Sequence, residues 1–146
     1  MRFILIFYSK FMFCSETLIR VRYGETDKMG YMYYGHYPEY FEVSRTDMIR
    51  ALGLSYREIE DLGIIMPVRS LRIDYKLPAL YDEILTIKSC LKELPEIKLN
   101  IDYEIYNEKQ QLLCTGNTVL AFVDSKTRKI RRAPAFFVDA VRKYFF

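Results

Sequence analysis

The 146-residue sequence has few cysteines and little net charge, and each shortage excludes a class of protein. Its three cysteines are odd in number and far apart, which argues against a disulfide framework and a CxxC-type zinc site. We expect buried free thiols in a reducing compartment. The net charge of +3 comes from acidic and basic residues mixed along the chain, so nucleic acid is not expected as the main partner.

The sequence also lacks a hydrophobic run long enough to span a bilayer. Its most apolar stretch lies at the N-terminus, where Lys10 interrupts it and no small-residue cleavage site follows before Ser15. We predict a single domain over residues 12–146, with Met12 as the start of the protein and residues 1–11 as an extension outside the fold. We expect a cytoplasmic protein that is not inserted in a membrane.

From residue 37 onward the spacing of apolar residues becomes helical. One face, at i, i+3, i+4 and i+7 spacing, holds Tyr37, Tyr40, Phe41, Ser44, Met48, Ala51 and Leu52. Pro38 suits the first turn of this helix, and Gly53 is a natural stop. Ser55 and Glu58 form a capping box that opens a second, short helix ending near residue 62.

The rest of the chain is mostly strand. Five segments have strand patterns: residues 17–23, 70–76, 83–91, 97–106 and 112–124. Short turns between the last four imply antiparallel pairing, and residues 134–146 can form a C-terminal helix. We predict an α+β fold in which a five-stranded antiparallel sheet wraps around one long central helix. Several strands are apolar on both faces, so we expect a homodimer or homotetramer to bury the excess.

The segment YGETDKMGYMYYGHYPEYFEVSR, residues 23–45, combines a carboxylate-bearing turn, a tyrosine-rich run and the start of the long helix. RYGETD, then MG, then GHYPEYFEVSR resembles the signature of the 4-hydroxybenzoyl-CoA thioesterase family. The resemblance covers residues 16–134. It implies the hotdog fold and an acyl-CoA thioesterase that releases a free acid and CoA, with no metal and no redox cofactor.

The resemblance places Asp27 at the family's catalytic aspartate, either as nucleophile through a mixed anhydride or as general base to water. It places Tyr34 where a backbone N–H polarises the thioester carbonyl. Physical chemistry agrees, because thioester hydrolysis needs an attacking or water-activating group and a donor for the developing oxyanion. Gly30 and Gly35 would let the backbone approach the substrate closely. The structural alternative for Asp27 is to cap N–H groups of its own turn.

Neighbouring residues have several possible roles. His36 is the only histidine, and we predict that it lines the pocket or caps the helix rather than acting in catalysis. Tyr37 belongs to a tyrosine cluster that suits an acyl pocket, a dimer interface or both. Glu25 is expected to face solvent or to pair with an arginine. Glu42 is expected to be structural, within pairing distance of Arg45.

Five basic residues crowd the segment KTRKIRR, residues 126–132. Coenzyme A carries anionic phosphates, so Arg131 and Arg132 are candidate substrate contacts. A solvated basic turn is the alternative. The sequence does not specify the acyl group, since medium or long fatty acyl, hydroxybenzoyl-like and naphthoyl groups all suit an apolar, tyrosine-rich pocket.

Three other functions stay open at this point. An acyl carrier protein could replace CoA as the thiol carrier, because both are anionic. The same fold also hosts enoyl-thioester hydratases, which pair a histidine with a carboxylate, and His36 is the only histidine that could serve. A dimer that binds acyl-CoA without turnover is the third, although the presence of Asp27 argues against it.

Overall fold

The computed structural model describes the backbone of residues 5–9 and the whole of residues 12–145. Its strands are β1 (Leu5–Ser9), β2 (Met12–Arg20), β3 (Ile64–Ile65), β4 (Val68–Tyr75), β5 (Ile84–Leu91), β6 (Lys98–Tyr106), β7 (Leu112–Asp124) and β8 (Ile130–Arg131). Its α-helices are α1 (Tyr37–Ala51), α2 (Tyr56–Asp61) and α3 (Ala135–Arg142).

The strands form one antiparallel sheet in the order β1-β2-β5-β6-β7-β4, and the short strands β3 and β8 pair with the C-terminal end of β7. Helix α1 packs across this sheet, mainly against β2 and β5. The predicted α+β architecture, a sheet wrapped around one long helix with a short C-terminal helix, is confirmed, but the described sheet has eight strands rather than the predicted five. Its boundaries are also close, since the strand predicted at 112–124 is β7 and the helix predicted from residue 37 is α1.

The middle of α1 lies close to the sheet because β7 carries a glycine there. The Phe41 ring stacks on the Tyr103 ring, with 4.3 Å between ring centroids and 15° between planes. A Cβ at Gly116 would overlap the Phe41 ring and lie 3.3 Å from the Arg72 carbonyl oxygen. Any larger residue at position 116 would therefore push α1 away from the sheet.

A seam of polar side chains runs between α1 and the two strands beneath it. Ser44 and Ser89 are hydrogen-bonded through their hydroxyls, and the Thr17 hydroxyl donates to Asp47 Oδ2 at 2.9 Å. All four residues are buried. The seam fixes the position of α1 on the sheet, because a displaced helix would leave these groups without partners.

The predicted pairing of Glu42 with Arg45 is wrong. Arg45 is buried, and its guanidinium donates to the hydroxyls of Tyr56 at 2.8 Å and Tyr103 at 3.3 Å. Glu42, one turn earlier on the same helix, is exposed. The two hydroxyls offer Arg45 hydrogen-bond acceptors inside the protein, whereas a solvated carboxylate gains little from an ion pair.

Two predictions about the N-terminal region and the cysteines also differ from the structure. Residues 5–9, expected outside the fold, form β1 beside β2, which itself begins at Met12 rather than near residue 17. Cys14 and Cys90, expected as free thiols, face one another on β2 and β5 and are joined by a disulfide. Cys114 is a buried free thiol, as expected, and burial raises its pKa to about 12.

Within the described residues, no helix has the length and apolar character needed to cross a membrane.

Candidate active site

The turn before α1 is a short closed loop, residues 25–33. The Asp27 N–H donates to the Tyr31 carbonyl at 3.0 Å, and the Gly30 N–H donates to the Asp27 carbonyl at 3.0 Å. The loop is closed at its base by the Tyr33 N–H, which donates to the Glu25 carbonyl at 2.9 Å. Gly30 has a φ of +88°, a conformation that strains other residues, so glycine is required to turn the loop.

Asp27 is half-buried at the tip of this loop. Its Oδ1 accepts the Met29 N–H at 2.8 Å, which is the turn-capping role considered as a structural alternative. Its Oδ2 makes no hydrogen bond with the residues that the structure describes. One carboxylate oxygen therefore orients the side chain, and the other is left for a substrate or a water molecule.

A single 3-10 turn, Tyr34–His36, leads from the loop into α1. Within it, the His36 N–H donates to the Tyr33 carbonyl at 3.1 Å. The first two N–H groups of such a turn, those of Tyr34 and Gly35, have no acceptor within the turn. They lie at the positive end of the α1 dipole, which favours an oxygen carrying negative charge.

The Tyr34 peptide is anchored from the other side by the edge strand. The Tyr75 hydroxyl, at the end of β4, donates to the Tyr34 carbonyl oxygen at 2.8 Å. This contact orients the peptide between Tyr34 and Gly35, which carries the Gly35 N–H, and the strand thereby takes part in forming the site. No feature of the local sequence links Tyr75 to the loop, because the two residues are 41 positions apart.

A cavity of about 370 Å³ opens beside the loop and the helix start. It is lined by Met29, Tyr31, Met32, Tyr34, Tyr37, Tyr75, Lys76, Leu77 and Pro78. Its walls are aromatic and aliphatic apart from the tyrosine hydroxyls and Lys76, and its volume is in the range of small-molecule sites. The cavity brings Tyr34 and Tyr37 together, but the residues that follow β4 were not predicted as part of it.

Tyr37 is the most buried tyrosine of this wall, with 3% of its surface exposed. Burial raises its pKa to about 12, with a further contribution from nearby Cys114. The hydroxyl therefore stays neutral and can donate a hydrogen bond. On the rim, the pKa of Tyr33 is raised, mostly by its hydrogen bond with Tyr34 and also by the charge of Asp27.

Gly35 and His36, two other predicted substrate contacts, have different surroundings. A Cβ at Gly35 would lie 2.5 Å from the Tyr33 ring. Because glycine has no Cβ, the Tyr33 ring can pack directly against the backbone there. His36 precedes α1, but its side chain does not cap the helix, which corrects that prediction. The His36 ring instead has Nδ1 at 3.3 Å from the Glu39 carboxylate, and it does not line the cavity described above.

Glu25 is the residue whose environment was predicted least well. It is paired with an arginine, as one alternative held, but it does not face solvent, since only 4% of its surface is exposed. Its Oε1 accepts the Arg22 N–H and the Tyr40 hydroxyl, each at 2.8 Å. Tyr40 lies on the apolar face of α1, and its hydroxyl needs a buried partner. This need of the Tyr40 hydroxyl is the feature of the sequence that could have predicted a buried Glu25.

Arg131 and Arg132 lie far from the cavity within one chain. The cavity end of β4 pairs with the N-terminal part of β7, where Tyr75 faces Cys114. Arg131 instead pairs with Phe122, eight residues further along β7, or about 27 Å for an extended strand. The two arginines and the cavity are not brought together in the protomer.

With this geometry in place, comparison with known proteins identifies the family. Residues 21–141 match the family model described as the thioesterase-like superfamily. The chain belongs to this family. The match covers the loop, the helix start, the cavity and strands β3 to β8, so the family assignment includes every part of the candidate site.

Three relatives illustrate the likeness. YneP of Bacillus subtilis is 34% identical over 118 residues, covering 81% of this chain and 86% of the relative. The acyl-CoA thioester hydrolase YbgC of Escherichia coli is 28% identical, covering 80% and 87%. The structure of a DHNA-CoA thioesterase from Staphylococcus aureus superposes with a TM-score of 0.83 at 41% identity, covering 89% of each chain. The predicted hotdog fold, thioesterase family and thioester hydrolase class are confirmed.

Proposed function

We propose that the protein hydrolyses an acyl-CoA thioester at the loop that precedes α1. The observation that carries this proposal is the shared wall of the cavity, in which Met29 and Tyr31 come from the Asp27 loop and Tyr34 and Tyr37 come from the helix start. An acyl group bound in the cavity would have its thioester carbonyl between a carboxylate and free N–H groups. Thioester hydrolysis requires these two functions in that arrangement.

Asp27 supplies the carboxylate in this proposal. As nucleophile, Oδ2 attacks the carbonyl carbon, the C–S bond breaks, and the CoA thiolate leaves and takes a proton from water. Water then cleaves the mixed anhydride, which releases the acid and restores the carboxylate. As general base, Asp27 takes a proton from the water that attacks the carbonyl. In both routes the N–H groups of Tyr34 and Gly35 stabilise the oxyanion.

We propose an aromatic acyl group as the substrate class, with a fatty acyl group as the second candidate. Four tyrosine rings line the cavity, Tyr31, Tyr34, Tyr37 and Tyr75, and offer edges and faces for a planar ring. The relative from Staphylococcus aureus is a DHNA-CoA thioesterase, which supports an aromatic substrate. His36 remains a proposed contact at the rim.

We further propose a homodimer formed by β4. Among the described strands β4 pairs only with β7, and its other edge is open. Val68, Leu71 and Tyr75 on this strand are each 45–48% exposed. An open, apolar edge strand is a liability for a monomer and is stabilised by pairing with a second copy.

Two-fold pairing of β4 would also give the basic segment a role. In an antiparallel pair, the β4 end near Val68 of one protomer lies beside the Tyr75 end of the other. Arg131 and Arg132 are close to the Val68 end, because both Val68 and Arg131 pair with the same stretch of β7. We propose that they contact the CoA phosphates bound at the neighbouring protomer. An acyl carrier protein would be attracted by the same charges.

We propose a cytoplasmic location, the compartment in which acyl-CoA esters are available as substrate. The Cys14–Cys90 disulfide would then have to persist against cytoplasmic reductants, which keep most cysteines as thiols. Cell fractionation followed by immunoblotting should find the protein in the cytoplasmic fraction. Recovery in a membrane or secreted fraction would overturn this location.

The test of the proposed function is thiol release from a panel of short, long and aromatic acyl-CoA esters. Asp27→Asn keeps the shape and removes the charge, so it should lose at least about 100-fold in rate, or ~2.7 kcal/mol of transition-state stabilisation. Asp61→Asn on the exposed surface of α2 is the matched control. Full activity in Asp27→Asn would overturn the mechanism.

Other results from the same panel would replace the proposed function. No release from any CoA ester would favour a carrier-protein substrate or a non-catalytic binder. Loss of enoyl absorbance without free thiol would identify a hydratase.

A further inference from the structure

Glu25 contacts three parts of the candidate site through different atoms: the Asp27 loop, helix α1 and the segment that precedes the loop. Its backbone carbonyl accepts the Tyr33 N–H and closes the loop that carries Asp27. Its carboxylate accepts the Tyr40 hydroxyl, one turn into α1, and the Arg22 N–H at the end of the preceding segment. Asp27 is two residues after Glu25, and Tyr34 is the residue after Tyr33.

The burial of this carboxylate indicates that its contacts are strong. Removing a carboxylate from water is unfavourable unless hydrogen bonds replace the lost solvation. Burial alone would raise the pKa of Glu25, but hydrogen bonds from the Arg22 N–H, the Tyr40 hydroxyl and the Arg22 guanidinium outweigh it and lower the pKa. Charge-assisted hydrogen bonds of this kind are about twice as strong as neutral ones.

Tyr40 is the rigid partner in this arrangement. It is 98% buried on the apolar face of α1, so its hydroxyl position is set by the packing of the helix on the sheet. Burial, followed by the contact with Glu25, raises its pKa far above the physiological range, and the hydroxyl stays protonated as a donor. The helix thus fixes Glu25, and Glu25 fixes the loop.

We propose that Glu25 is a positioning residue that sets the distance between the Asp27 carboxylate and the Tyr34 N–H. This inference rests on the proposed function for its kinetic consequence. It does not assign Glu25 any contact with substrate. A displacement of the loop by about 1 Å would be enough to reduce the rate about 100-fold, since both groups must meet one carbonyl.

The kinetic test compares Glu25→Ala, Glu25→Gln and Tyr40→Phe with the surface control Glu60→Gln. Glu25→Ala should lower kcat about 100-fold and leave KM within about threefold, because the groups that bind the acyl chain are unchanged. In Glu25→Gln the amide oxygen can still accept from Arg22 and Tyr40, so kcat should recover to within about tenfold of the wild type. Glu60→Gln should match the wild type.

Tyr40→Phe should act through the same hydrogen bond. The double variant Glu25→Ala/Tyr40→Phe should therefore be no slower than Glu25→Ala alone, because coupled residues give non-additive effects. Multiplicative losses would show that the two residues act independently, which would overturn the proposal.

Amide hydrogen exchange supplies a readout that does not depend on activity. In Glu25→Ala the N–H groups of Asp27, Gly30 and Tyr33 should exchange at least about tenfold faster, while those of the central strands keep their protection. Uniform loss of protection would indicate a general stabilising role. If Glu25→Ala does not fold, Glu25→Gln and Tyr40→Phe give the same comparison.

The two proposals fail separately. A wild-type protein that releases no thiol, or an active Asp27→Asn, overturns the proposed function, and the exchange data still decide whether Glu25 orders the loop. An inactive Asp27→Asn together with a Glu25→Ala variant of wild-type kcat leaves the function standing and overturns the positioning role.

Discussion

Two turns of this protein use an aspartate in the same local way, and only one of them has the surroundings of an active site. In the loop before α1, Asp27 Oδ1 accepts the Met29 N–H. In the turn after β7, Asp124 Oδ1 accepts the N–H groups of Lys126 and Thr127 at 2.9 and 2.8 Å. A local pattern of turn residues does not distinguish the two aspartates.

The difference lies in what surrounds each carboxylate. The two N–H donors lower the pKa of Asp124, with the Thr127 N–H as the largest cause. The Asp124 turn is exposed and lies at the far end of β7. Asp27 has one donor, and its loop borders both a cavity and the free N–H groups of a helix start. Chemistry requires this convergence of elements, which a turn alone does not provide.

The largest expected effect separates the two aspartates by activity. Asp27→Asn should reduce thiol release at least about 100-fold, and Asp124→Asn should stay within about twofold of the wild type. The reason is that, in the proposed mechanism, Asp27 acts on the substrate and Asp124 does not. Steady-state kinetics on one acyl-CoA ester measures both. Equal losses in the two variants would mean that turn stability, and not chemistry, explains the effect of Asp27.

A second substitution tests the N–H groups at the start of α1, which have no counterpart beside Asp124. Tyr34→Pro removes the N–H while its fixed φ suits the first position of a helical turn. Relative to Tyr34→Ala, which loses the same side chain and keeps the N–H, the proline variant should lose about 100-fold in kcat. Circular dichroism should find the same helix content in both. Equal rates would contradict the oxyanion role of this amide.

A third test concerns the basic residues near the Asp124 turn. Arg131→Ala/Arg132→Ala should raise KM for acyl-CoA about fivefold, or ~1 kcal/mol, with kcat nearly unchanged, because surface charges contribute little individually. The KM of the wild type should rise with ionic strength more steeply than that of the variant. Arg57→Ala on α2 is the control. An unchanged KM and salt response would leave these arginines as solvated residues.

The smallest expected effect is on stability. The lowered pKa of Asp124 means that its charge stabilises the fold above 3.8, the ordinary aspartate value, and that this contribution is lost as the pH falls through the lowered value. Asp124→Asn should therefore have a lower Tm than the wild type near neutral pH, and the difference should shrink in acid. A difference that is constant with pH would exclude a charge effect.

Much of the fold could be predicted from the sequence, because periodicity reports directly on burial. The apolar face of α1, the alternation of β6 and the doubly apolar β7 indicated a sheet around a helix. The roles of Asp27 and Tyr34 come from a motif and stay predictions. The cavity residues from Tyr75 to Pro78 were not predicted, because they reach the site only through strand pairing.

The remaining errors have one physical cause, which is that a polar residue's partner is chosen by tertiary contacts. Arg45 turns to two tyrosine hydroxyls rather than to the carboxylate three residues earlier. Glu25 is drawn into the protein by the hydroxyl of Tyr40. Cys14 and Cys90, 76 residues apart, meet because β2 and β5 are neighbours. None of these contacts can be predicted from the spacing of residues along the sequence.

The hydrogen bond from the Tyr75 hydroxyl to the Tyr34 carbonyl has a consequence for how the enzyme responds to its own abundance. Tyr75 lies on the open edge strand, so the same strand would bind a second protomer and orient the peptide that carries the Gly35 N–H, one of the two proposed oxyanion donors. Pairing of the edges would stiffen this strand and with it the Gly35 amide. Specific activity should then rise with enzyme concentration until the protein is fully paired, and a cell holding few copies would have a slower enzyme per molecule.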